Sequence, residues 1–109
     1  MILNRTIRLE AVLAGAVATS QPEYHVDYFD WNPNGQRTPP ATSRGALNST
    51  TDVIMLAIPV ANMKSEVFHM TIYNADTASV TVIIKTDNGT TERTIIRRTL
   101  LTLQTLVFE

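Results

Sequence analysis

A chain of 109 residues has room for one domain. Its net charge is -1 and its pI about 6.1, so it offers no basic footprint for a nucleic-acid backbone and no polybasic face for an anionic membrane. Cysteine is absent, which removes disulfide staples, thiolate zinc sites and cysteine nucleophiles together.

Hydrophobic residues make up 44% of the chain and aromatic ones only 6%, so the core must be built from Val, Ile, Leu and Ala. Branched aliphatic side chains fit strands better than helices. In chain order, residues 5–13 alternate, with Ile7, Leu9, Ala11 and Leu13 on one face and Thr6, Arg8, Glu10 and Val12 on the other. This predicts a first strand. A helix over Arg5 to Ala18 is the rival, but Gly15 and the polar, β-branched residues after it disfavour one. The charges inside the run from Met1 to Glu10 interrupt it as a secretory signal, and synthesis in the cytosol is expected.

After Gln21-Pro22 a second strand is expected over Glu23 to Trp31, with Tyr24, Val26 and Tyr28 opposite His25, Asp27 and Phe29. Residues 32–50 are dense in Pro, Gly, Asn, Ser and Thr. They read as one long surface loop, a contact arm in which only Leu47 could anchor to a core. Val53 to Val60 is almost continuously apolar, as in a strand covered on both faces or by a partner, and Pro59 marks its end. Further strands are expected at Glu66 to Tyr73, with Phe68, Met70 and Ile72 sharing a face, at Ser79 to Thr86, at Thr91 to Leu101 and at Thr105 to Phe108. Asn74 to Ala78 reads as a turn. Asn88-Gly89 supplies the positive φ angles of a tight hairpin between the strands on either side of it. The fold class implied is all-β: a single antiparallel β-sandwich, immunoglobulin-like or jelly-roll-like, over residues 1–109.

Chemistry-bearing clusters are few. His25 and Asp27 share a face, with Asp30 nearby, but two ligands do not make a metal site, and a solvated polar face accounts for them better. There is no Gly-x-Ser-x-Gly elbow and no glycine-rich phosphate loop. A module this small has little room for the water-excluding cleft that glycoside hydrolysis needs. No enzyme, metal or cofactor is expected. Arg97 and Arg98 should point to opposite faces, while Arg93 and Arg97 could share one in a salt-bridged surface. Asn48-Ser49-Thr50 and Asn88-Gly89-Thr90 match the glycosylation pattern but signify only loops.

The aromatic group Tyr24, Tyr28, Phe29 and Trp31 contains the only Trp. Such residues either plug the end of a sandwich or form an interface, and a planar face for sugars is a further option. With Arg37 and Leu47 from the arm, they are the expected interface residues.

From Ile58-Pro-Val60 through Ile72-Tyr-Asn-Ala-Asp-Thr-Ala-Ser-Val-Thr-Val82 and Asp87-Asn-Gly-Thr-Thr-Glu-Arg-Thr-Ile-Ile96, the chain resembles small virion proteins of tailed bacteriophages. In those proteins an Asn-Ala-Asp-Thr-Ala turn joins two strands, a hairpin follows, and a Thr-Leu…Leu-Val run ends the domain. Here that run is Thr99 to Glu109, and its turn, Leu101 to Gln104, lacks the Gly usual there. The resemblance covers about half of the chain and transfers no functional residues. It implies a capsid decoration or cement subunit, or an accessory of the head, neck or tail. The subunit would be made in the host cytoplasm, form homo-oligomers and contact other virion proteins, with no nucleic acid or membrane as partner. The alternative is a carbohydrate- or receptor-binding module at a tail tip, using Tyr24, Tyr28 and Trp31.

Overall fold

Alternation becomes burial along Arg8–Leu13, where Leu9, Ala11 and Leu13 are buried while Arg8 and Val12 remain partly exposed. The computed structural model describes residues 1–109 and repeats this logic in nine strands, with no helix. The strands are β1 (Ile2–Leu3), β2 (Arg8–Leu13), β3 (Glu23–Trp31), β4 (Ala41–Ala46), β5 (Val53–Leu56), β6 (Lys64–Tyr73), β7 (Val80–Asp87), β8 (Glu92–Leu100) and β9 (Thr105–Phe108). One sheet runs β4-β3-β6, with β1 and β9 sharing the far edge of β6: β1 pairs with Ser65 and Glu66, β9 with Met70 to Tyr73. The other runs β5-β2-β7-β8. All pairings are antiparallel, and two sheets enclose one core, as the sequence pattern requires.

Only β3–β4 and β7–β8 are hairpins; every other link crosses between sheets. The pairs β2–β5, β3–β6 and β6–β9 match those of strands B–E, C–F and F–G in an immunoglobulin-type sandwich. The β7–β8 hairpin, inserted before the last strand, occupies the remaining edge of β2. Between the sheets, Leu9, Ala11, Leu13, Val82 and Ile84 meet Val26, Val67, Met70 and Ile72 in a cluster of 17 buried residues. Burying one such aliphatic side chain contributes about 1.5–3 kcal/mol, against about 0–1 kcal/mol for an exposed ion pair. The aliphatic layer therefore holds the sandwich together.

Several expectations need correction. The stretch 32–50 is not one loop: Ala41–Ala46 forms an edge strand on β3, and Leu47 beyond it is buried. Its small side chains permit this, because Gly45 lies under the Tyr24 ring, whose hydroxyl would be 2.9 Å from a Cβ there. The strand expected over Val53 to Val60 stops at Leu56, and Ile58 and Val60 are exposed. A one-residue slip also interrupts the simple alternation of β6. Asp27 pairs with His69 and Tyr28 with Val67, leaving Phe68 as the extra residue of a bulge. Val67 thus joins Met70 and Ile72 inside, and Phe68 is turned out. Ile95 is the corresponding extra residue of β8, between Thr94 and Ile96. The Asn-Gly hairpin has a four-residue loop in which only Gly89 has positive φ (95°). Asn88 Oδ1 instead accepts from the backbone N–H groups of Thr90 and Thr91.

The turn that lacks a Gly is closed by Leu103 at φ 61°, with Gln104 N–H donating to the Leu101 carbonyl. A left-handed conformation costs a side-chain-bearing residue roughly 1–2 kcal/mol, and Leu103 is too exposed to recover that through burial. Leu103→Gly is therefore expected to raise the melting temperature by about 3–5 °C in thermal unfolding, after allowing for glycine's greater unfolded-state freedom. A lower melting temperature would refute this reading of the turn.

Candidate functional site

The outer face of the β3–β6 pair carries the aromatic group. Beyond Trp31 the chain turns at Asn32 to Gln36, with Gly35 at φ 84° and the Gly35 N–H bonded to the Asn32 carbonyl. A bridge between Trp31 and Arg37 follows, and Thr38 fastens the returning strand through its N–H and hydroxyl to Asp30. Pro39 and Pro40, which lack backbone donors, end that pairing before β4 begins.

This turn carries Arg37 back over the aromatic rings. Its guanidinium carbon lies 4.7 Å from the Phe29 ring centre and 5.7 Å from that of Trp31. Phe29 stacks on Phe68 at 5.5 Å, nearly parallel, and meets Trp31 edge-on at 5.9 Å. Trp31 Nε1 donates to Glu66 Oε1 at 3.1 Å, which fixes the indole. Phe29 is buried although it lies on the outer face, covered by its neighbours rather than by the core, while Phe68 is 41% exposed. A recess of about 440 Å³ opens beside them, lined by Phe29, Arg37, Thr38, Pro39, Pro40 and Phe68. On the other side of Trp31 an open cleft of about 920 Å³ is lined by residues including Asn4, Arg5, Asn32, Asn62, Lys64 and Glu66.

Of the six expected interface residues, Phe29, Trp31 and Arg37 come together. Tyr24 and Leu47 are core residues, and Tyr28 packs half-buried against the core. They face inward because β3 alternates as expected and Leu47 closes the end of β4. Phe68 and Glu66 were not foreseen. Phe68 reaches this face only through the bulge, which one-strand periodicity does not reveal.

His25 and Asp27 do lie on the same outer face, and folding brings His69 to Asp27, with Nδ1 3.2 Å from Oδ2. The Thr42 hydroxyl, more than His69, holds the Asp27 carboxyl below its ordinary value. Asp30 points the other way and accepts from Ser65 Oγ, so the three do not form a ligand set. Arg93 and Arg97 do not share a face. Their partners Thr86 and Ile83 are on opposite faces of β7, because the Ile95 bulge inverts the alternation between them.

Beyond the opposite end of β6, the turn Asn74 to Ala78 is a buried polar knot. Asn74 Nδ2 donates to the carbonyls of Ala78, Leu100 and Leu101 at 3.0–3.1 Å, and its Oδ1 accepts from Asp76 N–H. Asp76 accepts from the backbone N–H groups of Ala18, Thr19, Ser20 and Thr77 and from the Thr19 hydroxyl. These donors, Ala18 first, keep its carboxyl far below the usual range against the opposing effect of burial. The knot joins three inter-sheet loops and is structural. Comparison with family models, with curated proteins and with solved structures finds no match for this chain.

Proposed function

We propose that this chain is a non-enzymatic assembly module that works by protein–protein contact. We further propose that its setting is the virion of a tailed bacteriophage, as a capsid decoration or cement subunit or a head, neck or tail accessory. The observation that carries the assembly reading is the Phe29–Phe68–Trp31–Arg37 patch. It is a rigid, solvent-facing group of aromatic rings and an arginine, the side chains that dominate binding energy at interfaces. The phage setting is supported only by the resemblance of the segments 58–96 and 99–109.

Light scattering of the purified chain, alone and with phage capsids or tails, tests this. Phe68→Asp is expected to weaken self-association or incorporation at least tenfold, as for a hot-spot residue, while lowering the melting temperature by only about 5 °C through the lost stacking on Phe29. A strict monomer indifferent to capsids and tails would count against the proposal.

A second reading, sugar binding, is favoured by the polar cleft beside Trp31, whose indole could serve as one wall. It no longer draws on Tyr24, which is buried. Glycan affinity that Trp31→Ala abolishes would favour this reading.

A further inference from the structure

The outer face of the β5-β2-β7-β8 sheet concentrates ionised side chains where β7 turns into β8. The register places Arg8, Asp87 and Glu92 in one row across β2, β7 and β8, with Glu10 and Lys85 in the next. Arg8 bonds Glu10 at 2.5 Å and Asp87 at 2.7 Å, and Lys85 bonds Asp52 at 2.8 Å and also Glu92.

This pairing is incomplete. Four carboxylates (Glu10, Asp52, Asp87, Glu92) meet two cations (Arg8, Lys85), leaving a local charge of -2. Asp87 and Glu92 stand directly opposite one another across the hairpin, where like charges repel. Glu10 is 2% exposed, and its Oε1 is the one buried side-chain polar atom without a hydrogen-bond partner. A buried carboxylate oxygen in that condition is destabilising. One carboxylate oxygen from each of Glu10, Asp87 and Glu92 lies within 4.8 Å of the other two. Two oxygens bound about 2.4 Å from a single calcium ion can be no farther apart than that, and the shorter bonds to magnesium would draw them closer together.

We propose that Glu10, Asp87 and Glu92 form a binding site for one hard divalent cation of the Ca²⁺ class. Glu10 closes the site from the buried side. Asp87 is held by the Gly89 N–H at 2.7 Å, and the exposed Glu92 forms the entrance. Donors that are all oxygen, with no imidazole or thiolate, favour this class of ion over zinc or copper. Its charge cancels the local excess and separates the opposed Asp87 and Glu92, so binding clips the β7–β8 hairpin to β2.

The test is calorimetric titration of the chelator-treated full chain with CaCl₂, together with thermal melts. The expected result is one ion per chain with a Kd on the order of 10⁻⁴ M and a melting temperature about 10 °C higher at 10 mM CaCl₂. Glu10→Gln should abolish binding. Glu92→Gln, at an exposed position that does not endanger the fold, should weaken it tenfold or more. Asp52→Asn removes the same charge but no proposed ligand and should leave affinity within about threefold. A folded chain that takes up no Ca²⁺ by 10 mM overturns the proposal. So does a Glu92→Gln chain that binds as well as the wild type, or an Asp52→Asn chain weakened as much as Glu92→Gln.

Discussion

Asn74→Ala is expected to lower the melting temperature by about 12–15 °C, corresponding to roughly 3 kcal/mol. Asn74 is fully buried, and its side chain bonds three carbonyls and one N–H from two different loops. Alanine leaves the buried Asp76 N–H without this acceptor and the Leu100 and Ala78 carbonyls without this donor, while the Leu101 carbonyl keeps the Gln104 N–H. It is the desolvated remainder, more than the lost contact, that makes such deletions expensive. The carbonyls of Leu100 and Leu101 lie where β8 ends, so the loss also releases the turn into β9. Asn88→Ala, in the exposed hairpin, provides the control: its side chain is an acceptor there as well, yet water can replace it, and a shift under about 4 °C is expected. Equal shifts in differential scanning calorimetry for the two variants would show that the knot carries no special share of stability.

Acid should unfold this protein largely through Asp76. Its carboxyl titrates well below the ordinary 3.8 because Ala18 N–H, and then Thr19, Ser20 and Thr77 N–H, bond its charged form. The folded chain therefore binds this proton more weakly than the unfolded chain does. The resulting stabilisation is complete above about pH 5 and is lost progressively as pH falls through 3.8 and below. Asp87, held down first by Gly89 N–H and also by Arg8, and Asp27 add to the same acid limb. Asp76→Asn is expected to lower the melting temperature at pH 7 by about 10 °C or more, because an amide must turn a donor towards some of those N–H groups. It should also flatten the fall between pH 5 and pH 2.5, so that the two melting curves converge in acid. Curves for the two chains that stay parallel across that range would sink the assignment.

The strands with inward aliphatic side chains were legible because burial on one face enforces a period of two, and Leu9, Ala11, Leu13, Val82 and Ile84 obey it. β4 was not. Ala41-Thr-Ser-Arg-Gly-Ala46 owes its conformation to hydrogen bonds with β3 and to the room Gly45 leaves for Tyr24, neither of which shows in hydropathy. The bulges were also illegible, since the position of an extra residue depends on what lies opposite it in a partner strand. At the candidate site, residue type points to Phe29 and Trp31, and position in the expected arm points to Arg37. Strict alternation puts Phe68 on the face of Met70 and Ile72, a rule that holds only until the slip at its own position. The polar knot was missed for a related reason. Asn74 and Asp76 read as turn formers, and what buries them is the meeting of loops distant in sequence.

The slips at Phe68 and Ile95 have a consequence for how such a protein can change. A residue that occupies no rung of the ladder and fills no interior volume is free of the constraints that restrict its neighbours. Replacing it leaves no void between the sheets and forces no repacking of the aliphatic core, so chemistry at these two outward positions can drift while Val67, Met70, Ile72 and Ile84 stay as they are. The chemistry these positions show to solvent is thereby uncoupled from how the sandwich folds.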